Sequence, residues 1–132
     1  MIKEYDAKVE EMEKVLADAE AYFEDNLVPM KIVFQMNVAI EEIFVNIASY
    51  AYDDKVGNAT VEINVDGTSC TVVFTDSGKP FNPLEKTDPD VTLAADERAI
   101  GGLGIYMVKK SMDEVSYERK GDCNVFRIIK KW

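Results

Sequence analysis

The chain has no histidine among its 132 residues. That removes most zinc sites, the serine–histidine–aspartate triads and any phosphate-accepting histidine carried on this polypeptide. Cysteine is scarce as well: Cys70 and Cys123 are the only two, both inside strand-like stretches and without metal-ligand spacing. They read as reduced thiols of a cytosolic protein rather than a disulfide framework. Positive charge is also short. Fifteen Lys and Arg against 25 Asp and Glu leave a net charge of −10, which argues against direct nucleic-acid contact and against an anionic membrane surface, because both want basic patches. The opening residues MIKEYDAKVEEMEK lack the apolar stretch of a signal peptide. No uninterrupted run is expected to reach the length of a membrane span. The expected location is cytoplasmic.

What is present is the material of one ordinary domain over residues 1–132, with 47% hydrophobic residues and room for a real core. Ile2 to Ala7 reads as a short edge strand. Val9, Met12, Val15, Leu16, Ala19, Tyr22 and Phe23 then follow helical spacing until Asn26 and Pro29 break it. A second helix is expected from about Lys31 to Tyr52, ended by DDKVGN. ATVEINV and SCTVVFT alternate at period two around Asp66-Gly67, the pattern of a β-hairpin. Residues 77–101 are a long loop rich in Pro, Asp and Gly. A third helix runs from Leu103 to about Met112, and EVSYERK and CNVFRII close the chain as a second hairpin around Gly121 and Asp122. This order predicts an α/β (α+β) sandwich in which one mixed sheet packs on about three helices.

The second helix poses a chemical question. From Ile32 to Tyr52 its only charged residues are Glu41 and Glu42, and carboxylates in an apolar helix are costly unless paired, hydrogen-bonded or facing a ligand. At 100° per residue, Met36, Ile40, Ile43, Phe44, Ile47 and Ala51 form one stripe. Glu42 and Asn46 fall nearly opposite it, one turn apart and pointing the same way, in company with Val38, Ala39 and Val45. Two loops bear on the same question. In FTDSGKPFNP, Asp76 ends a strand and runs into Ser77-Gly78, either as an ordinary turn or where backbone can approach a ligand. In RAIGGLGIYMVKK, glycines precede a helix, whose free N–H groups and positive dipole end suit a phosphate. Neither the dinucleotide fingerprint nor a Walker A sequence is present.

Taken in order, EIFVN, DSGKPF, GGLG and MDEV resemble the signature of the Bergerat-fold (GHKL) ATPases. The match is nearest to their small stand-alone members, the anti-sigma-factor serine/threonine kinases, whose pattern runs Glu-Ala-x-x-Asn, Asp-x-Gly-x-Pro-Phe, Gly-Gly-Leu-Gly, Met-Asp-Glu-Val. The resemblance spans essentially residues 1–130 and implies a Bergerat ATPase fold, ATP and Mg²⁺. By position, it implies that Asn46 coordinates Mg²⁺ between the phosphates and that Glu42 is the general base. Asp76 accepts a hydrogen bond from the adenine amino group, with Gly78 admitting the base to the backbone. Gly101, Gly102, Leu103 and Gly104 form the phosphate-binding turn at the start of the third helix. The implied activity is phosphorylation of a serine on a STAS-type anti-sigma-factor antagonist, with a sigma factor as second partner and a homodimer as the resting state. Tyr50 stands where many relatives carry histidine, and Pro80 replaces a glycine of the wider superfamily. Arg98 is the nearest cation before the glycines. Nucleotide binding and phosphoryl transfer use overlapping residues, so a non-catalytic ATP- or ADP-binding regulatory module stays open beside the kinase.

Overall fold

Apolar residues at helical spacing build the first two helices, and alternation at period two builds the sheet. The computed structural model describes residues 1–53, 55–85 and 102–132. Strand β1 (Ile2–Asp6) leads through a single 3₁₀ turn into α1 (Met12–Asp25), then α2 (Met30–Asn46), which continues as a π-helical turn over Ile47–Ala51. Strands β2 (Asn58–Asp66) and β3 (Ser69–Asp76) form the first hairpin. Helix α3 (Gly102–Ser111) precedes β4 (Glu114–Lys120) and β5 (Cys123–Lys131), the second hairpin. Gly67 and Gly121, at φ 62° and 57°, supply the left-handed turn residue of each hairpin.

Met12, Val15, Ala19 and Phe23 of α1 and Ile32, Met36, Ala39, Ile40, Ile43 and Phe44 of α2 are buried, three or four residues apart. The inward rows of the strands complete the core: Ala59, Val61 and Ile63 on β2, Cys70, Val72 and Phe74 on β3, Phe126 and Ile128 on β5. Phe44 is fully buried and meets the Tyr5 ring edge-on, with centroids 6.3 Å apart. Helix α1 ends in a Schellman motif, Val28 N–H donating to Phe23 C=O at 3.0 Å and Leu27 N–H to Glu24 C=O at 3.1 Å. Leu27, rather than glycine, takes the left-handed position at φ 56°. At the other side of α1, Asp18 Oδ2 accepts from Lys3 Nζ and from the Tyr5 hydroxyl, each at 2.8 Å. Those two bonds hold the Asp18 carboxyl below the usual carboxylate range, while burial and then the bond to Asp18 push the Tyr5 hydroxyl well up.

The α+β architecture agrees with the sequence reading, but the sheet is antiparallel rather than mixed. Its order is β1-β2-β3-β5-β4, and every neighbouring pair among the described strands runs antiparallel. Two helices, not one, join β1 to β2, so the chain crosses the sheet twice and returns antiparallel. Strand β4 runs in the same direction as β3, but β5 lies between them, so no parallel pair forms. A second correction concerns hydropathy. Met30–Ala51, 22 residues, is long and apolar enough to cross a membrane by length and composition, against the expectation of no such run. In this fold it is a core helix on one face, and Met30, Phe34 and Val38 are exposed on the other.

Two expectations follow. Truncating Phe44 to Ala should destabilise the fold by about 3–5 kcal/mol, measured by chemical denaturation, because the cavity lies between α2 and the sheet where collapse is hindered. Burial pushes the Cys70 thiol from 9.0 to about 12. A raised folded value means the contribution is complete below the unfolded value and is lost as pH rises through the folded one. Stability should therefore fall from about pH 9 toward about pH 12, and Cys70→Ala should flatten that part of the pH–stability curve.

Candidate functional site

The inward row of β3 is Cys70, Val72, Phe74, Asp76, and that of β5 is Asn124, Phe126, Ile128. Each apolar row thus ends in a polar residue at the same end of the sheet, and the register sets Asp76 directly opposite Asn124. Both are nearly sealed, at 6% and 4% exposure. The C-terminal part of α2 roofs this end. Asn46, 7% exposed, and Asp76 line one cleft, whose apolar walls include Ile43, Ala51, Phe81 and Phe126, with Tyr117 and Asn124 at its polar side.

Asp76 Oδ1 accepts from Gly78 N–H at 2.9 Å and from Asn124 Nδ2 at 2.9 Å. Both hydrogen bonds of this carboxylate among the described residues fall on Oδ1. The Gly78 bond is an Asx-type turn that closes the strand and starts the loop. Gly78 has a packing reason of its own: a Cβ there would lie 2.3 Å from Ala51 O and 2.6 Å from Ala51 Cβ. The π turn presents Ala51 C=O to the loop, where Lys79 N–H donates to it at 2.9 Å. A π turn here lets the helix end hold the Asp76 loop, a use such turns often have at functional sites. Tyr52 ties the same loop from its other side, its hydroxyl donating to Asn58 C=O at 2.7 Å and accepting from Ser77 N–H at 2.9 Å.

Glu42 and Asn46 stand one turn apart, and Asn46 Nδ2 donates to Glu42 Oε1 at 3.5 Å. Glu42 is half-buried beneath α3: a Cβ on Gly104 would come within 2.1 Å of its Cδ and 2.2 and 2.3 Å of its two oxygens. Gly104 therefore lets the first turn of α3 rest on this carboxylate, and negative charge at a helix N-terminus is favourable. Glu41 is exposed, the solvated neighbour in the pair. Tyr50 packs its ring on Phe81 at 5.5 Å between centroids.

Of the residues singled out in the sequence, the fold gathers Glu42, Asn46, Asp76, Gly78 and Gly104 at one end of the α2–sheet interface. Gly102 and Leu103 open α3. Gly101 and Arg98 lie outside the described residues. Asn124 was missed, and its signal was present: an asparagine at an inward position of CNVFRII, where the alternation calls for an apolar residue. Tyr117 and Arg119 belong to the same cluster and gave no such signal, because β4 reads as an ordinary polar edge strand. Among the described residues no group of three or more His, Cys, Asp or Glu side chains could hold a metal ion by itself.

The family described as "Histidine kinase-like ATPase domain" matches residues 5–130. The chain is 24% identical over 86 residues to the "Anti-sigma F factor" of Thermoanaerobacter pseudethanolicus, covering 65% of this chain and 60% of that protein. It is 30% identical over 87 residues to the "Serine-protein kinase RsbW" of Bacillus licheniformis, covering 61% of this chain and 53% of that protein. The protein of the same name from Bacillus mycoides is 29% identical over 84 residues, with 61% and 52% covered. These alignments thus span between half and three-fifths of the relatives' length. An apolar cleft with a single carboxylate acceptor, an asparagine one helical turn from a glutamate, and a family match across nearly the whole fold agree: the chain belongs to the histidine kinase-like ATPase domain family.

Proposed function

We propose that this chain is an ATP-dependent protein serine/threonine kinase that acts as an anti-sigma factor, phosphorylating a serine on a STAS-type antagonist and sequestering a sigma factor. The observation that supports it most is the convergence of Glu42, Asn46, Asp76 and the first turn of α3 at one end of α2. The cleft chemistry fits an adenine nucleotide. Apolar walls suit a flat base, Asp76 Oδ2 suits its exocyclic amino donor, and the start of α3 suits phosphates. Asn46 is the residue that would hold Mg²⁺. Such an ion keeps most of its waters and takes few protein ligands, so a single asparagine beside the phosphates would suffice. When bound, the ion neutralises phosphate charge. Glu42, one turn from Asn46 and against the first turn of α3, would be the base for the attacking hydroxyl.

The names of the relatives, one an anti-sigma factor and two serine-protein kinases, support the regulatory part of the reading. The homodimer belongs to the same proposal, with β1 at the sheet edge as the pairing element. The second reading, a nucleotide-binding module without transferase activity, uses the same cleft and differs only in what Glu42 does.

Substituting Asp76→Asn should weaken ATP binding by about 1–3 kcal/mol in calorimetry, the cost of unbalancing a buried hydrogen bond. A wild-type chain that binds no ATP with Mg²⁺ present removes the proposal. Glu42→Gln should lower phosphorylation of a STAS-type antagonist by roughly 10²–10⁴-fold, the usual share of a general base, with little change in ATP affinity. Asn46→Ala should reduce affinity and turnover together. Wild-type turnover in Glu42→Gln refutes the base assignment, and ATP binding without any phosphorylation favours the module.

A further inference from the structure

Asn124 carries more hydrogen bonds than any other side chain at the site. Its Nδ2 donates to Asp76 Oδ1 at 2.9 Å and to Lys79 C=O at 2.8 Å. Its Oδ1 accepts from Phe81 N–H at 3.3 Å, from Arg119 Nη1 at 3.2 Å and from the Tyr117 hydroxyl. Arg119 Nη1 also donates to Gly78 C=O at 2.8 Å. A primary amide has two N–H donors and one oxygen with two lone pairs, so this amide has no capacity left for a ligand. Its orientation is settled by chemistry. Flipping it would set Oδ1 against two acceptors, Asp76 Oδ1 and Lys79 C=O, and Nδ2 against the N–H and guanidinium donors. With both residues nearly sealed from water, that mismatch has no solvent to relieve it.

We propose that Asn124 is a positioning residue that sets the base selectivity of the site: it pins Asp76 Oδ1, so that Oδ2 is held as a lone acceptor facing the cleft and admits only a base presenting a hydrogen-bond donor. The inference rests on the nucleotide reading above. Asn124 touches no base. It acts through Asp76 on one side, and through the backbone of residues 79 and 81 on the other. Tyr117 and Arg119 keep its amide the right way round. A base with a carbonyl at the corresponding position meets acceptor against acceptor and is rejected.

The test is calorimetric binding of two nucleotides with Mg²⁺: ATP, and purine riboside triphosphate, which lacks the 6-amino group. The wild type should prefer ATP by on the order of tenfold or more, the usual worth of a hydrogen bond to a charged acceptor. In Asn124→Leu the ATP affinity should fall to about that of the analogue, while the analogue's own affinity changes by less than about threefold, so the preference collapses. Asn124→Asp keeps the shape but sets oxygen against Asp76 Oδ1, and should lose the preference at least as fully. In an Asp76→Asn background neither substitution should alter the preference further, the signature of one residue acting through the other. Equal loss for both nucleotides makes Asn124 a structural residue only and overturns the proposal, as does an unchanged preference in a folded Asn124→Asp protein. Should Asn124→Leu fail to fold, the Asn124→Asp comparison decides. A wild type that binds neither nucleotide sinks the nucleotide reading itself, which is a different result from binding both without preference.

Discussion

The pairing of β3 with β5 is the constraint on which the rest of the site depends. Antiparallel register places Cys70, Val72 and Phe74 on the inward face of one strand and Phe126 and Ile128 on the inward face of the other. The same register puts Asp76 opposite Asn124 where both rows run out. A shift of one residue would turn these side chains outward and expose the apolar row with them. The fold's largest stabilising element, the core between sheet and helices, and the geometry of its polar cleft are therefore set by one alignment. Burial of the apolar row holds in place two polar residues that would cost free energy if either stood there alone.

Helix α2 contributes to both layers in a similar way. Its inward stripe seals the core, and its final turns carry Asn46 into the cleft and present Ala51 C=O to the loop after β3. The switch to a π turn just after Asn46 shifts the helical phase where the loop must be caught. Gly78 and Gly104 then do equivalent work on opposite sides. One lets the Asp76 loop close on the helix end, and the other lets the start of α3 close on Glu42. In both cases a missing Cβ is what brings two elements together. Alanine at either position would place an atom within 2.3 Å of its neighbour.

The cleft lies between the end of α2 and one end of the sheet. Its polar groups are few and already organised by one another. Asp76 is oriented by Gly78 and Asn124, Asn124 by Tyr117 and Arg119, and Asn46 is bonded to Glu42. A site ordered in this way loses less entropy on binding than one assembled around its ligand.

The sequence by itself determined the element order, the two hairpins and the buried stripe of α2, because period and spacing are local properties read over a few residues, while the candidates Glu42, Asn46, Asp76, Gly78 and Gly104 came together through the resemblance of their motifs to a known family. Asn124, a polar interruption of an apolar row, went unread in the sequence, because that interruption has meaning only beside its partner. Three things depended on tertiary structure. Among the described strands no parallel pair forms because β5 inserts between β3 and β4, a fact about strand order that no window of sequence contains. Met30–Ala51 is a core helix although its composition would suit a membrane, because α1 and the sheet cover one of its faces. Asn124 stands against Asp76 across 48 residues of chain, and only the register of two strands could bring them within a hydrogen bond.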